Sequence, residues 1–271
     1  MIIFIASKQD TAGMNIANQL IKNYQFEKTS ETFQDNPVYI KTLYNKESKL
    51  LFVEAEIVQT QFLENLVNPQ LMVFLSRHSS SKGVPTLSVH APGNLSEAKF
   101  GGKPKTVSVS PARAMKNALC EMDKQVKEKK LEYEVSYEVT HHGPSLNFPS
   151  MFVELGSSPE QWIDIEAAKV VADSAVAAVS DCSVCPAVVG IGGPHYNKKF
   201  TKLAITNERA FGHMIPKYAL DSIDAEIIEQ CVNRTQEPVK SVVLDWKGIK
   251  GEHKLKIVDA MDSLGLEIEK I

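Results

Sequence analysis

Short apolar runs rich in β-branched residues alternate, along most of the 271-residue chain, with longer segments whose apolar side chains recur at helical spacing. This alternation is typical of an α/β fold, in which helices cover a largely parallel sheet. The first strand is predicted at residues 2–6, and Asp10 or Thr11 is expected to cap the helix that follows. Because no linker-like segment interrupts the pattern, we expect one catalytic domain over residues 1–271.

Residues 37–58 read as two strands joined by the polar turn "NKES", so an antiparallel hairpin should make the sheet mixed. Residues 95–110 are rich in Gly, Lys and Ser and are predicted to be an excursion from the sheet. The remaining predicted strands lie at 71–78, 86–94, 202–206, 242–245 and 266–270, and the remaining helices at 111–130, 158–180, 222–234 and 251–263.

The bulk composition argues against several classes of protein. A net charge of −3 carries no basic excess of the kind that marks general nucleic-acid binding. Four cysteines are too few for a disulfide scaffold, and we expect the pair Cys182 and Cys185 to belong to the core. The apolar opening is only about six residues long, and no later run approaches the roughly 20 needed to cross a bilayer. A cytoplasmic protein without a membrane partner is expected.

Five of the seven histidines lie at predicted strand ends: His78, His90, His141, His142 and His195. Residues at the carboxyl ends of parallel strands meet at one edge of a sheet, so distant histidines could become neighbours. Imidazole and carboxylate groups are ligands that Zn²⁺ accepts. The same pattern offers Glu154 and His213 as further members, while any one histidine alone could equally be structural. His253, on a polar helix, is assigned to solvent.

Glycine and proline follow the same predicted strand ends, where the backbone must turn tightly or approach a ligand closely. The broken spacing of "GIGGPHY" excludes a dinucleotide fingerprint. Basic residues just downstream could hold a phosphate, although short charge runs are usually solvated. The substrate-binding residues expected from these motifs are Gly93, Asn94, Gly143, Pro144, Gly193, Pro194, Tyr196, Lys198 and Lys199.

Seven ordered motifs together resemble the archaeal and plant type of D-aminoacyl-tRNA deacylase, a zinc-dependent editing enzyme. The resemblance implies a three-layer fold of the phosphorylase and peptidyl-tRNA hydrolase kind, with a mixed, largely parallel sheet. It implies a monomer that hydrolyses the ester between a D-amino acid and the terminal ribose of tRNA. The motifs are "SKQDTAGMNI" after the first strand, "SRH" (76–78), "VHAPGN" (89–94), "HHGP" (141–144), "PSMFVELGSSPEQW" (149–162), "GIGGPHY" (190–196) and "FGHMIPKYAL" (211–220).

Within the matched motifs we expect one or two zinc ions per chain, the first held by His78, His141, His142 and His195. His90 and His213 could ligate a second ion or orient the first ligands. Glu154 is expected to be the general base or a further ligand, and His142 is included among the catalytic residues.

A rigid backbone at "HHGP" or "GGPH" could exclude L-amino acids. Two alternatives remain open: a zinc exopeptidase or amidohydrolase acting on small molecules, and a non-enzymatic binding module.

Overall fold

The computed structural model describes residues 1–180, 185–206 and 209–271. The strands are β1 (Ile2–Ser7), β2 (Glu27–Phe33), β3 (Asn36–Leu43), β4 (Lys46–Val53), β5 (Leu71–Arg77), β6 (Thr86–His90), β7 (Gly93–Asn94), β8 (Thr106–Val107), β9 (Glu134–Tyr137), β10 (Ser150–Gly156), β11 (Ala187–Ile191), β12 (Ala210–Ile215), β13 (Val239–Leu244) and β14 (Glu267–Lys270). The helices are α1 (Thr11–Tyr24), α2 (Ala112–Lys129), α3 (Pro159–Trp162), α4 (Ile165–Ala177), α5 (Lys198–Thr206), α6 (Ala225–Asn233) and α7 (Gly251–Ser263).

The main sheet has eight strands in the order β2-β3-β4-β1-β5-β10-β6-β9. Its centre is parallel from β4 through β1 and β5 to β10. The predicted hairpin forms as β3 and β4, which pair antiparallel. At the other side β6 pairs antiparallel with β10, and β9 pairs parallel with β6. Strands β6 and β9 therefore run opposite to the parallel centre.

The second sheet is wholly parallel, in the order β12-β11-β13-β14. Its strands come from the last third of the chain, where the sequence patterns predict strands but not a separate sheet. Helix α2 contacts strands of both sheets. No helix of the residues described above is long and apolar enough to cross a membrane.

Strand β1 is buried on both faces, as expected for a central parallel strand. Alternate side chains of a strand point to opposite faces of the sheet. Phe4 accordingly packs in the core shared with helices α1, α2 and α4, while Ile3 and Ile5 pack in a second core. A third core joins the second sheet to helices α6 and α7. Burial of apolar surface on both sides holds the sheets in place.

The predicted α/β class with a mixed, largely parallel sheet is confirmed. Asp10 caps helix α1 by accepting a hydrogen bond from the Gly13 amide at 2.9 Å. The predicted strand at 202–206 is wrong: these residues belong to α5, because Phe200, Thr201 and Ala204 form one buried helical face.

Three further element boundaries differ from the predictions. The predicted helix at 158–180 divides at Asp164, which caps α4 by accepting from the Ala167 amide. The predicted strand at 86–94 divides into β6 and β7, and β7 pairs with β8 in a separate two-stranded sheet. Strand β2 was not predicted, since its sequence, EKTSETF, is almost entirely exposed at the sheet edge and carries no apolar period.

Candidate active site

Two buried carboxylates lie at the centre of the histidine cluster. Glu138 follows β9, and its oxygens lie 3.2 Å from His78 Nδ1 and 2.8 Å from His195 Nε2. Glu154, inside β10, lies 3.5 Å from His78 Nδ1 and 3.6 Å from His90 Nε2. The two carboxylates therefore share His78, and together with His90 and His195 the five groups form one continuous network.

Burial and ion pairing oppose each other in this network. Burial alone would raise the pKa of Glu154, but the neighbouring imidazoles of His78 and His90 lower it to about 2. The pKa of Glu138 is likewise held well below its usual range by His195 and His78, despite burial. Burial would lower the pKa of His78, yet the two carboxylates raise it to about 11. At neutral pH the network thus holds two carboxylates and a protonated His78.

A second group of histidines has its ring tautomers set by the backbone. Nδ1 of His141 and of His142 donates to the carbonyl oxygens of Val139 and Gly143, each at 2.8 Å. Nδ1 of His90 lies 3.3 Å from the carbonyl oxygen of Ala91. With the proton on Nδ1, the Nε2 atoms of His141 and His142 each present a lone pair, which is the arrangement commonly found in metal-binding histidines.

The same three histidines are close enough to hold one ion. Each offers a ring nitrogen, and these nitrogens lie within 4.8 Å of one another. Nε2 of His90 is buried and makes no hydrogen bond. Burial and the nearby His90 lower the pKa of His141 well below its usual range and that of His142 to about 4. Both therefore stay neutral, the form that binds a metal.

The backbone between β9 and β10 explains how adjacent histidines reach one site. Strand β9 ends at Tyr137, so His141 and His142 are free of the alternation that would send them to opposite faces. His142 adopts a left-handed conformation with φ of 43°. Gly143 then packs against the 101–102 turn, where a β-carbon would lie 2.3 Å from the Gly102 nitrogen. The ring centroids of His141 and His142 are consequently only 4.3 Å apart.

Two clefts open on either side of these histidines. The first, about 460 Å³, is lined by Asp10, Glu56, Arg77, His78, Glu138, Glu154 and Tyr196, among others. The second, about 390 Å³, is lined by Gly93, Asn94, Lys99, Tyr218 and Ser222, among others. Both clefts share Phe100, His141, His142 and His195. The histidines therefore form the boundary between two open spaces of ligand-binding size.

His213 is not part of this cluster, which corrects the expectation that it could ligate a metal. Its Nδ1 lies 3.0 Å from Thr140 Oγ1, and its Nε2 lies 3.0 Å from the carbonyl oxygen of Ser108. Both nitrogens are therefore occupied. His253 also differs from expectation: its side chain is only 12% exposed and lies 3.1 Å from Asp221, rather than in open solvent.

The two predicted phosphate-binding lysines lie away from the clefts. Lys198 pairs with Glu134 at 3.0 Å, and Lys199 pairs with Asp245 at 2.5 Å. Neither lysine lines either cleft. Both lysines are exposed residues of the first turn of helix α5, which begins at Lys198. A phosphate site at these positions would be separate from the histidine cluster.

Of the other residues predicted to bind substrate, some line the clefts and some do not. Gly93 and Asn94 line the second cleft, and Tyr196 lines the first with its hydroxyl 3.0 Å from His78 Nε2. Gly193, with φ of 77°, instead packs against Asn197, where a β-carbon would lie 2.5 Å from the amide nitrogen. An alanine at 193 would therefore perturb this loop and would not report on chiral selection.

Neither of the two prolines expected to bind substrate lines either cleft. Pro194 is exposed, and the carbonyl oxygen of Pro144 accepts a hydrogen bond from Ser108 Oγ at 3.0 Å. Cys185 is buried, in agreement with a core position, whereas Cys182 lies outside the described residues.

Sequence reasoning missed Glu138, although it is the most connected group of the site. The available signal was an acidic residue inside "SYEVT", between the buried Tyr137 and Val139. A carboxylate in such a run must be paired, because an unpaired buried charge is costly. Phe100 and Tyr218, exposed aromatic residues on the clefts, carried no comparable signal.

A family model and the curated relatives of this chain carry the same family name. A family model described as D-aminoacyl-tRNA deacylase matches residues 66–269. The chain is 37% identical over 279 residues to the D-aminoacyl-tRNA deacylase of Pyrococcus abyssi, with all of both proteins covered. It is 36% identical to that of Methanosarcina barkeri, covering 99% of this chain and 89% of the relative. The crystal structure of a conserved protein of unknown function superposes with a TM-score of 0.89 at 30% identity, covering 100% of this chain and 95% of the other.

Proposed function

The chain belongs to the D-aminoacyl-tRNA deacylase family, and from that premise we propose that its histidine site hydrolyses the ester between a D-amino acid and the terminal ribose of tRNA. The products are the free D-amino acid and tRNA. The observation that supports this most directly is that His141, His142 and His195 line both of two adjoining clefts, with the buried carboxylates of Glu138 and Glu154 beside them in the first. An ester that joins two dissimilar groups needs a reactive centre with space on each side.

The donor set fits a zinc ion. We propose His90, His141 and His142 as its ligands, because their ring nitrogens lie within 4.8 Å of one another and the buried Nε2 of His90 has no hydrogen-bond partner. When bound, zinc supplies Lewis acidity, which polarises the ester carbonyl and lowers the pKa of the attacking water.

A second zinc ion would need a set of ligands that does not include His141. His141 has one free nitrogen, because its Nδ1 is used by Val139. The remaining buried set is His78 with Glu138 and Glu154. His78 itself is engaged on both nitrogens, by Glu138 and by Tyr196, so it fits a first ion less well than the predicted assignment assumed.

Side chains of the site would transfer the protons that hydrolysis requires. Hydrolysis takes one proton from the attacking water and delivers one to the ribose oxygen as the carbon–oxygen bond breaks. We assign Glu154 as the base that accepts the water proton, since its carboxylate lines the first cleft beside the proposed ligand His90. Glu138 is a positioning residue, because its buried carboxylate contacts the rings of His78 and His195 and so fixes their orientation.

The test of the proposal is deacylation of D-Tyr-tRNA and L-Tyr-tRNA by the purified protein, before and after chelation and with zinc added back. We expect D-specific release of tyrosine that is lost on chelation and restored by zinc. Chelation-insensitive activity would refute the metal assignment, whereas absence of D-specific release would refute the substrate assignment. Elemental analysis of the untreated protein provides the metal stoichiometry.

We also propose that residues 1–271 act as a single catalytic domain and as a monomer in the cytoplasm, where tRNA is charged. The cores of the two sheets share helix α2, which supports one unit. Light scattering after size exclusion should give about the 30.0 kDa of one chain. A mass of twice that value would contradict the monomer.

A further inference from the structure

We propose that the second cleft binds the 3′-terminal adenosine of the tRNA, with its base stacked on Phe100, and that the first cleft takes the aminoacyl group. This assignment rests on the proposed function, which it deepens by giving each half of the substrate its own cleft. His141, His142 and His195 line both clefts. An ester placed at this boundary would have the amino acid on one side and the nucleoside on the other.

Charge distinguishes the two clefts. The first is lined by the carboxylates of Asp10, Glu56, Glu138 and Glu154, which outnumber the two cations, Arg77 and the protonated His78, among its described lining residues. Such a surface attracts the α-ammonium of an amino acid and repels a phosphodiester. Among the described residues that line the second cleft, Glu97 is the only carboxylate; it is 76% exposed and lies 3.2 Å from Lys99. A nucleotide is therefore better accommodated in the second cleft.

Aromatic side chains also favour the second cleft for the nucleoside. Phe100, which is 68% exposed, lines both clefts, whereas Tyr218, which is 58% exposed, lines only the second. The first cleft has Tyr196 instead, and its hydroxyl is engaged by His78 Nε2 at 3.0 Å. The ring of Tyr218 lies nearly parallel to that of His195, with centroids 6.4 Å apart, and its hydroxyl lies 3.0 Å from His195 Nδ1. Exposed aromatic faces are the usual platforms for unpaired bases.

The backbone around Phe100 is held in place beside the reactive centre. Its carbonyl oxygen accepts a hydrogen bond from the Gly143 amide at 2.9 Å, next to His142. Asn94 Nδ2 donates to the carbonyl oxygen of Gly101 at 2.8 Å. A β-carbon on Gly101 would lie 1.8 Å from the carbonyl oxygen of Val58, so the turn is closely packed. The Phe100 ring is thus presented from a fixed turn next to the histidines.

The inference is tested with Phe100→Leu, which keeps an apolar side chain without a π face, and Phe100→Tyr, which keeps the ring. Leu255→Ala, an equally exposed apolar position on α7, is the matched control. Two measurements are made on the full-length, zinc-loaded protein. The first is the KM for D-Tyr-tRNA, for 2′(3′)-O-D-tyrosyl-adenosine and for D-tyrosine methyl ester. The second is calorimetric binding of AMP.

We expect Phe100→Leu to raise the KM of both nucleoside-bearing esters about tenfold, with a much smaller change for the methyl ester. AMP binding should weaken by a similar factor, while Phe100→Tyr and Leu255→Ala bind AMP like the wild type. Three results would overturn the assignment: equal effects on the methyl ester and the adenosine ester, unaltered AMP binding in Phe100→Leu, or failure of the wild type to bind AMP.

If the wild type leaves D-Tyr-tRNA intact, the proposed function fails. The binding of AMP to the wild type and to Phe100→Leu then still tests whether the second cleft binds adenosine.

Discussion

Replacing Glu138 with glutamine should destabilise the metal-free protein at neutral pH. Glutamine keeps the volume of the side chain but removes the charge that faces His78 at 3.2 Å and His195 at 2.8 Å. Removing one partner from a buried ion pair typically costs about 3–5 kcal/mol, because the other charge is left without compensation. Glu154 still lies 3.5 Å from His78. We therefore expect a loss near the lower limit, about 3 kcal/mol.

The measurement is urea unfolding of the chelated wild type and of Glu138→Gln at pH 7, followed by tryptophan fluorescence. Glu134→Gln is the matched control, since that carboxylate lies four residues earlier, is 51% exposed and pairs with Lys198 at the surface. Exposed pairs contribute up to about 1 kcal/mol, so the control should stay close to the wild type. Equal urea midpoints for Glu138→Gln and the wild type would refute the account of Glu138 as the centre of the buried charge network.

Three further predictions follow from individual contacts. His90→Ala should reduce zinc bound per chain after dialysis, because it removes a buried unpartnered nitrogen; full zinc content would remove His90 from the ligands. Burial lowers the pKa of His213 to about 4 from 6.5, so between these two pH values the unfolded state binds more protons than the folded state. The contribution of His213 to stability should therefore fall by about 3 kcal/mol as the pH drops from 6.5 to 4. Urea titrations of the wild type and His213→Gln at several pH values test this, and an identical dependence of stability on pH in the two proteins would contradict it. The double variant Lys198→Gln, Lys199→Gln should change kcat/KM for D-Tyr-tRNA by less than about threefold, because neither lysine lines a cleft and the exposed pair of Lys198 with Glu134 is worth little. A large loss, with a reduced salt dependence, would restore the predicted phosphate site.

Local pattern was sufficient for most of the elements and for most of the histidine cluster. Helix α7 coincides with its predicted range, 251–263, because helical periodicity depends on neighbouring residues alone. The sequence predicts a strand at 202–206, where α5 forms, because the apolar run is short and short runs do not distinguish the helical from the strand period. The break in strand before His141 was anticipated from Gly143 and Pro144, and β9 indeed ends at Tyr137.

The reason for the convergence of the histidines was only partly anticipated. The prediction placed all the strand ends at one edge of a parallel sheet. Strand β6 instead runs antiparallel to β10, so His90 lies opposite Phe152, within β10. Glu154, two residues further along β10, then lies between His90 and His78. Strand direction is set by pairing between segments far apart in the chain, so it cannot be predicted from the residue pattern within one segment.

Residue type and local spacing were therefore enough to identify a histidine site with a carboxylate at strand ends. Strand pairing and packing decided which residues belong to the site. Glu138 contacts His78, whereas both ring nitrogens of His213 contact Thr140 and Ser108 instead. Lys198 and Lys199 lie at the start of α5 and line neither cleft. The histidines at the boundary between the two clefts lie beside the 101–102 turn, which packs closely against Gly143. Propensity and periodicity act over a few residues, whereas a site depends on contacts between segments separated by tens of residues, which only the folded chain brings together.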